Sequence, residues 1–290
     1  MTKSILLALA LTSSAALANI SSIVEPDTEV KKLATGMKFT EGPVWIKDKV
    51  IFSDIPNSML MQWSEKGGLK PFRKVQQANG NLLDSNGLLL SCQHAGRDVI
   101  RTETDGSITV LIDKYEGKKF NSPNDLDIHS DGSIWFTDPS YGLRGKTGEI
   151  GGKWVYRLDP KTKQVDVIYK DFDMPNGIVF SPDEKHLYIS DSGKIQKIRA
   201  FKVTGKTIDL KPAFELDIRC DGMCVDTKGN LYTTSAGGVH IFDNTGKKIG
   251  LIEVPETPSN VCFGGKDYNT LFITARKSLY SVKTKMTGDK

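Results

Sequence analysis

Residues 122–139 read SPNDLDIHSDGSIWFTDP and have the pattern of a β-hairpin. Short runs of β-branched and aromatic residues flank an Asp-Gly turn, which is typical of two antiparallel strands. The pattern returns as MPNGIVFSPDEKHLYISDS at 174–192, RCDGMCVDTKGNLYTTS at 219–235 and PSNVCFGGKDYNTLFITA at 258–275. Two earlier versions are TEGPVWIKDKVIFSDI at 40–55 and the less regular QANGNLLDSNGLLLSC at 77–92. Six hairpins therefore lie in one register.

This register predicts an all-β fold, a six-bladed β-propeller with four-stranded antiparallel blades around a central channel. The hairpins recur at intervals near the ~40–50 residues usual for one blade. Residues 29–36 precede the first hairpin, and we expect them to add an outer strand to the last blade, which removes exposed sheet edges. A β-sandwich is the alternative architecture, but it does not account for a sixfold register. We expect residues 19–290 to form this single domain.

Composition excludes several classes of protein. The 290 residues are 38% hydrophobic and 26% charged, which is ordinary for a globular chain and unlike a disordered one. The net charge is +4, and the basic residues are scattered rather than clustered, so we expect no nucleic-acid partner. No segment is long and apolar enough to predict a membrane span. The sequence does not determine the oligomeric state.

Residues 1–18, MTKSILLALALTSSAALA, have the pattern of a cleaved signal peptide. Lys3 provides a positive start, an apolar run follows, and Ala16-Leu17-Ala18 fits the cleavage site. We therefore expect an exported protein, periplasmic or secreted. Export would permit disulfides among the cysteines, which are Cys92, Cys220, Cys224 and Cys262. Their pairing is open, and buried free thiols are an equally good interpretation.

One residue with a side-chain oxygen opens the first strand of each hairpin. The six residues are Glu41, Asn79, Asn124, Asn176, Asp221 and Asn260. Because the innermost strands of a propeller line its channel, equivalent positions should form a ring around the axis. Turn chemistry is the structural alternative, since Asn and Asp before Gly commonly begin turns. Turn chemistry explains a single Asn-Gly or Asp-Gly site better than it explains six such residues in register, and it explains Glu41 least well.

The functional interpretation of this ring is a metal site. Glu41 and Asp221 supply two negative charges, while Asn124 and Asn176 supply neutral amide oxygens. Ligands that are all oxygen suit a hard cation, and Ca²⁺ fits such a flexible set best. Mg²⁺ and Zn²⁺ are the alternatives. Residues that follow the second strands should surround the same mouth, where a substrate would be held; they include His94, Asp138, Tyr141 and Asp191.

These residues lie in motifs that resemble the gluconolactonase/regucalcin (senescence marker protein) family of six-bladed propellers. The motifs are TEGPVW at 40–45, SPNDL at 122–126, DGSIWFTDPSYG at 131–142, MPNGIVFSP at 174–182 and CDGM at 220–223. The stretch SCQHAGRDVIRTETDG at 91–106 resembles the bacterial gluconolactonase branch. The resemblance covers residues 37–282 and implies that Glu41, Asn176 and Asp221 bind a divalent metal, usually calcium. It also implies that Asn124 contacts the metal or holds substrate.

The resemblance favours a metal-dependent hydrolase that opens a sugar lactone. Polarisation of the carbonyl and attack by water assisted by a carboxylate would perform the reaction. Asp221 is the first candidate for the general base and Glu41 the second. His94 has three interpretations: a general base, a hydrogen-bond donor to substrate, or a structural residue at the strand end. A phosphotriesterase-like metal-dependent hydrolase and a binding propeller without catalysis are the alternative functions.

Overall fold

The computed structural model describes residues 20–25 and 28–288. Within them the chain forms 27 strands and two short 3-10 helices, at Ile55–Asn57 and Tyr141–Leu143. Six antiparallel sheets follow one another along the chain, so the predicted six-bladed propeller is confirmed. The predicted signal peptide at residues 1–18 lies outside the described residues and stays a prediction. No helix of the described residues is long and apolar enough to cross a membrane.

The first three blades each contain four strands in chain order. Blade 1 consists of β2 (Thr40–Ile46), β3 (Lys49–Asp54), β4 (Met59–Ser64) and β5 (Gly68–Lys74). Blade 2 consists of β6 (Ala78–Leu83), β7 (Leu89–Gln93), β8 (Asp98–Thr102) and β9 (Ile108–Ile112). A small hairpin of β10 (Lys114–Tyr115) and β11 (Lys118–Lys119) leads to the next blade. Blade 3 consists of β12 (Leu126–Ile128), β13 (Ile134–Thr137), β14 (Val155–Leu158) and β15 (Val165–Tyr169).

The other three blades include one irregular sheet and the closing sheet. Blade 4 consists of β16 (Pro175–Phe180), β17 (His186–Asp191), β18 (Lys197–Thr204), β20 (Phe214–Leu216) and the short β19 (Thr207–Ile208). Blade 5 consists of β21 (Met223–Val225), β22 (Leu231–Ser235), β23 (Gly238–Phe242) and β24 (Lys248–Glu253). Blade 6 consists of β25 (Pro258–Gly264), β26 (Thr270–Ala275), β27 (Ser278–Lys283) and β1 (Lys31–Thr35).

Strand β1 closes the ring. It pairs antiparallel with β27, so the start of the domain supplies the outermost strand of the last blade, as predicted from residues 29–36. The hydrophobic core lies between neighbouring blades, because each sheet is covered on both faces. Trp135 of blade 3 packs edge-on against Phe180 of blade 4, with ring centroids 5.3 Å apart. Packing of this kind keeps the inner strands in a defined position around the channel.

All four cysteines are free thiols. Cys92 and Cys220 are fully buried, and burial raises the pKa of each of the four thiols. A raised pKa lowers the fraction of reactive thiolate, since reactivity belongs to the thiolate. We expect a thiol reagent to label four cysteines in guanidinium chloride and to react at least about tenfold more slowly with the folded protein. Two missing thiols after denaturation would reveal a disulfide.

Candidate functional site

The six ring residues predicted from the register all lie where the inner strands begin. Backbone hydrogen bonds join these strand starts across blade boundaries. Gly80 N–H donates to the Asn124 carbonyl at 2.8 Å, and Gly177 N–H donates to the Asp221 carbonyl at 3.0 Å. Gly222 N–H donates to the Ser259 carbonyl at 2.7 Å. The side chains at this end of the channel are therefore held by a connected backbone rather than by separate loops.

Glu41 is placed in the channel by a bulge in β2. The register with β3 shifts between Glu41 and Val44, and Gly42 in this bulge has a φ of 46°. A side chain at Gly42 would begin 2.0 Å from the Asn79 carbonyl oxygen of the next blade, so only glycine fits. Gly42 N–H donates to Glu41 Oε2 at 2.8 Å. The bulge thus fixes a buried carboxylate at the channel entrance.

Asp221 and Asn176 meet across the boundary between blades 5 and 4. Asn176 Nδ2 donates to Asp221 Oδ1 at 2.7 Å and lies 3.0 Å from Ser192 Oγ. It also lies 3.4 Å from the Tyr141 hydroxyl. The amide nitrogen is therefore engaged by three oxygens. These contacts hold the Asn176 side chain beside the carboxylate of Asp221, the first candidate for the general base.

Electrostatic repulsion at the ring disfavours the ionisation of both Glu41 and Asp221 when no positive charge lies between them. Burial raises the pKa of Glu41 well above its usual range, and the negative charges of Asp221 and Asp125 raise it further. Burial also raises the pKa of Asp221 to about 6, while the hydrogen bond from Asn176 and the charges of Arg219 and Arg276 oppose this shift. Like charges confined in a poorly hydrated channel repel one another. A positive charge between them would offset that repulsion.

Asp125 is a third channel carboxylate, which the sequence analysis missed. Asn260 Nδ2 of blade 6 lies 3.3 Å from Asp125 Oδ2, so this contact connects blades 3 and 6. Burial raises the pKa of Asp125 to about 7. The residue directly follows Asn124 in the SPND motif, and both residues precede strand β12 (Leu126–Ile128). Its adjacency to a ring position was the only available signal.

The His94 imidazole contacts the side-chain amides of two ring residues. Its Nε2 lies 3.2 Å from Asn79 Nδ2 and 3.4 Å from Asn124 Nδ2. Burial lowers the pKa of His94 to about 4, so the imidazole is neutral at pH 7. Because both neighbours are amide N–H groups, Nε2 accepts and the remaining proton lies on Nδ1. This arrangement favours an orienting role for His94 over the general-base interpretation.

Tyr141 lies at the mouth of the channel. It belongs to the 3-10 helix Tyr141–Leu143 in the loop between β13 and β14, and it is 38% exposed. Its ring stacks near that of His94, with centroids 6.5 Å apart. Burial of the hydroxyl and the charge of Asp221 raise the pKa of Tyr141 to about 12. The phenol therefore stays protonated and can donate a hydrogen bond at the mouth.

Asp138 and Asp191, which the sequence predicts to contact substrate, are fully buried, and their carboxylates accept hydrogen bonds from backbone N–H groups. Asp138 accepts from the N–H groups of Asn121 and Ser122 at 2.8 and 2.7 Å. Asp191 accepts from the N–H groups of residues 173 and 174 at 2.7 and 3.0 Å. In blades 3 and 4 the carboxylate therefore holds, by hydrogen bonds, the loop that leads into the inner strand. This geometry favours a structural role for both residues, and their contact with substrate stays a prediction.

The same position has this role in blades 1 and 2. Asp54 Oδ1 lies 3.1 and 3.3 Å from the N–H groups of Lys38 and Phe39. Gln93 Oε1 accepts from Gln76 N–H at 2.7 Å. A repeated acceptor at the end of the second strand is therefore a feature of blade construction. Its repetition is visible in the sequence as Asp54, Gln93, Asp138 and Asp191.

A substitution at Asp191 can distinguish a structural role of this residue from a contact with substrate. We expect Asp191→Asn to lower the free energy of unfolding by about 1–3 kcal/mol, because a buried backbone N–H loses its charged acceptor. The control substitution Asp171→Asn, at an exposed position, should leave the free energy of unfolding unchanged. Urea unfolding measures this free energy for both variants. The Michaelis constant of the folded variant should stay at the wild-type value. A raised Michaelis constant with unchanged stability would restore Asp191 to the substrate site.

Comparison with known proteins identifies the family of this site. A family model described as the SMP-30/Gluconolactonase/LRE-like region matches residues 39–277. The chain belongs to this family. The matched segment begins just before Glu41 and includes the complete ring, so the family assignment covers the residues that build the channel entrance.

Individual relatives cover nearly the whole chain. The gluconolactonase of Zymomonas mobilis is 31% identical over 93% of this chain and 85% of its own length. The regucalcin of Xenopus laevis is 28% identical over 82% of this chain and 83% of its own length. The solved structure of a gluconolactonase from Xanthomonas campestris has a TM-score of 0.86 and 32% identity, and the match covers 92% of each chain.

Proposed function

We propose that this protein hydrolyses a sugar lactone with the help of a divalent cation, as a gluconolactonase does. The observation that carries the proposal is the channel entrance, where the half-buried Asp221 lies close enough to the buried Glu41 to raise its pKa, beside neutral amide groups. Relatives named gluconolactonase support the reaction class. The alternative of a binding propeller gives no reason to confine like charges at this point.

The donor set fits a hard divalent cation. No group of three His, Cys, Asp or Glu side chains converges as metal ligands among the residues described, so amide oxygens would have to contribute. Glu41, Asp221, Asn124 and Asn176 would hold the ion, and their two carboxylates would balance its charge. All-oxygen ligands favour Ca²⁺, with Mg²⁺ and Zn²⁺ as alternatives.

The residues of the mouth would bind and orient the lactone. Tyr141 can donate to a sugar hydroxyl, and the Ser192 hydroxyl lies beside Asn176. Such polar groups suit a hydroxylated substrate better than an apolar phosphotriester. A bound divalent cation would supply positive charge next to the carbonyl oxygen, where negative charge develops during the reaction.

Asp221 would take the proton from the attacking water. The water oxygen bonds to the carbonyl carbon, the proton passes to the Asp221 carboxylate, and the ring C–O bond then breaks. The departing ring oxygen takes up a proton, so the product is an open-chain hydroxy acid. The hydrogen bond from Asn176 and the positive charges of Arg219 and Arg276 favour the ionised carboxylate, which is the form that accepts a proton. Its hydrogen bond from Asn176 keeps the carboxylate in position.

Acid release from glucono-δ-lactone tests the proposal. The rate is measured before and after EDTA, with Ca²⁺, Mg²⁺ and Zn²⁺ restored separately and spontaneous opening subtracted. We expect activity to disappear with EDTA and to return with at least one ion. Paraoxon, a phosphotriester, is the matched control substrate and should be hydrolysed far more slowly. Activity that EDTA does not change would contradict the metal requirement, and faster hydrolysis of paraoxon would contradict the lactonase proposal.

A further inference from the structure

A groove with a cavity volume of about 980 Å³ lies between blades 1 and 6. Turns from both blades border it: Lys47 and Asp48 join β2 to β3, and Lys266 lies between β25 and β26. These turns are at the strand ends opposite Glu41, so the groove opens on the other face of the propeller. Its volume is in the range of about 300–1,000 Å³ that is usual for ligand sites.

Aromatic rings form part of the groove wall. Trp45 of β2 stacks on Phe272 of β26, with ring centroids 5.3 Å apart and planes 11° apart. Trp63 of β4 lies 6.3 Å from the same Phe272 ring at 53°. Both tryptophans keep part of their surface accessible within the groove. Phe272 covers one face of the Trp45 indole, so the accessible surface is the remainder of Trp45 together with the tilted Trp63 ring. Such apolar, rigid surfaces are suited to packing against the C–H groups of sugar rings.

The border of the groove carries excess positive charge. The lysines that line it are Lys31, Lys47, Lys66, Lys266 and Lys283, against the acids Glu29, Asp48 and Glu65. Within the described ranges 20–25 and 28–288, none of these five lysines forms a salt bridge. Lys283 Nζ instead donates to the neutral Asn269 amide at 2.8 Å. Among the residues that the structure describes, these ammonium groups therefore have no carboxylate partner and can meet anionic groups of a ligand.

Hydroxyl groups complete the lining of the groove. Thr28, Ser64, Thr270 and Ser281 lie among the lysines and the aromatic rings. Indole faces, hydroxyl groups and unpaired ammonium groups together match a ligand with apolar ring faces, many hydroxyls and carboxylates. We propose that this groove binds an acidic oligosaccharide, a short chain of sugar acids such as uronic acids. This site is separate from the catalytic proposal, because it lies on the opposite face.

Fluorescence titration with trigalacturonate tests the proposal. Two of the four tryptophans, Trp45 and Trp63, line the groove, so binding should change the emission in a saturable way. The affinity should fall as salt is added, because screening weakens the contacts with exposed lysines. Maltotriose, an uncharged trisaccharide, and triglutamate, an acidic peptide, are the comparison ligands. Equal binding of maltotriose would overturn the charge argument, and equal binding of triglutamate would overturn the assignment to a saccharide.

A charge-matched pair of variants locates the site. We expect Lys47→Gln/Lys66→Gln/Lys266→Gln to weaken trigalacturonate binding by about tenfold or more, from three lost contacts with carboxylates. The control Lys161→Gln/Lys206→Gln/Lys228→Gln removes the same charge from exposed positions on other blades and should bind like wild type. Equal loss in both variants, or no saturable binding by wild type, would overturn the proposal. Both variants should hydrolyse glucono-δ-lactone at the wild-type rate. A failure of the oligosaccharide-binding proposal can therefore be distinguished from a failure of the lactonase proposal.

Discussion

Asp221→Asn should lower kcat for glucono-δ-lactone hydrolysis by about 10²–10⁴-fold, the usual contribution of a positioned general base. The amide cannot accept the proton of the attacking water. It also loses the charge that faces Glu41 across the ring, so affinity for the divalent cation should fall as well. Acid release measures the rate at saturating substrate and metal, and calorimetric titration with Ca²⁺ measures the affinity.

The control for this experiment is Asp217→Asn. Asp217 is four residues earlier, its side chain is 87% exposed, and it pairs only at the surface with Lys197. Its substitution removes the same charge without touching the channel. We expect wild-type kcat in this variant. Turnover by Asp221→Asn at the wild-type rate would remove Asp221 from the mechanism, and Glu41 would become the next candidate for the general base.

Removal of the divalent cation should lower the melting temperature of the whole propeller. An ion held by Glu41, Asn124, Asn176 and Asp221 would connect blades 1, 3, 4 and 5 at the axis. By mass action, an ion present at a hundred times its dissociation constant stabilises the folded state by about 2.7 kcal/mol. Melting curves recorded with Ca²⁺ and with EDTA measure the difference, and the melting temperature should rise with the Ca²⁺ concentration.

The variant Glu41→Gln separates this effect from general consequences of chelation. It keeps the shape of the side chain in the bulge but removes one of the two ring charges. We expect its melting temperature to respond less to Ca²⁺ than that of wild type, and to differ little from wild type in EDTA. Equal responses of both proteins to Ca²⁺ would place the stabilising ion elsewhere in the molecule.

The propeller and its closing strand could be predicted because their signals are local and periodic. Each hairpin contains its own turn and its own alternation, and β1 follows from the need to cover a sheet edge. The ring could be predicted for the same reason, since equivalent positions in equivalent repeats occupy equivalent places. The ring already suggested a metal site, and the resemblance then implied Glu41, Asn176 and Asp221 as its ligands, with Asn124 as a further ligand or a substrate contact.

The sequence does not reveal which side chains at a strand end turn towards the backbone. Asp138 and Asp191 end their strands next to residues that face the mouth, yet their carboxylates turn towards backbone N–H groups. Asp125 was missed because its partner, Asn260, belongs to a blade that is distant in sequence. Local pattern indicates which end of a strand a residue occupies, but it does not indicate the partner of the side chain.

By itself, the sequence determined the number of blades, the strand that closes them and the polar ring at the channel entrance, because all three depend on repetition along the chain. Only the tertiary structure decided which carboxylates lie close together, which nitrogen of His94 meets the ring amides, and where blades 1 and 6 leave a groove. These properties arise from contacts between segments far apart in sequence, and their energies depend on burial and distance. Such contacts exist only once the ring has closed.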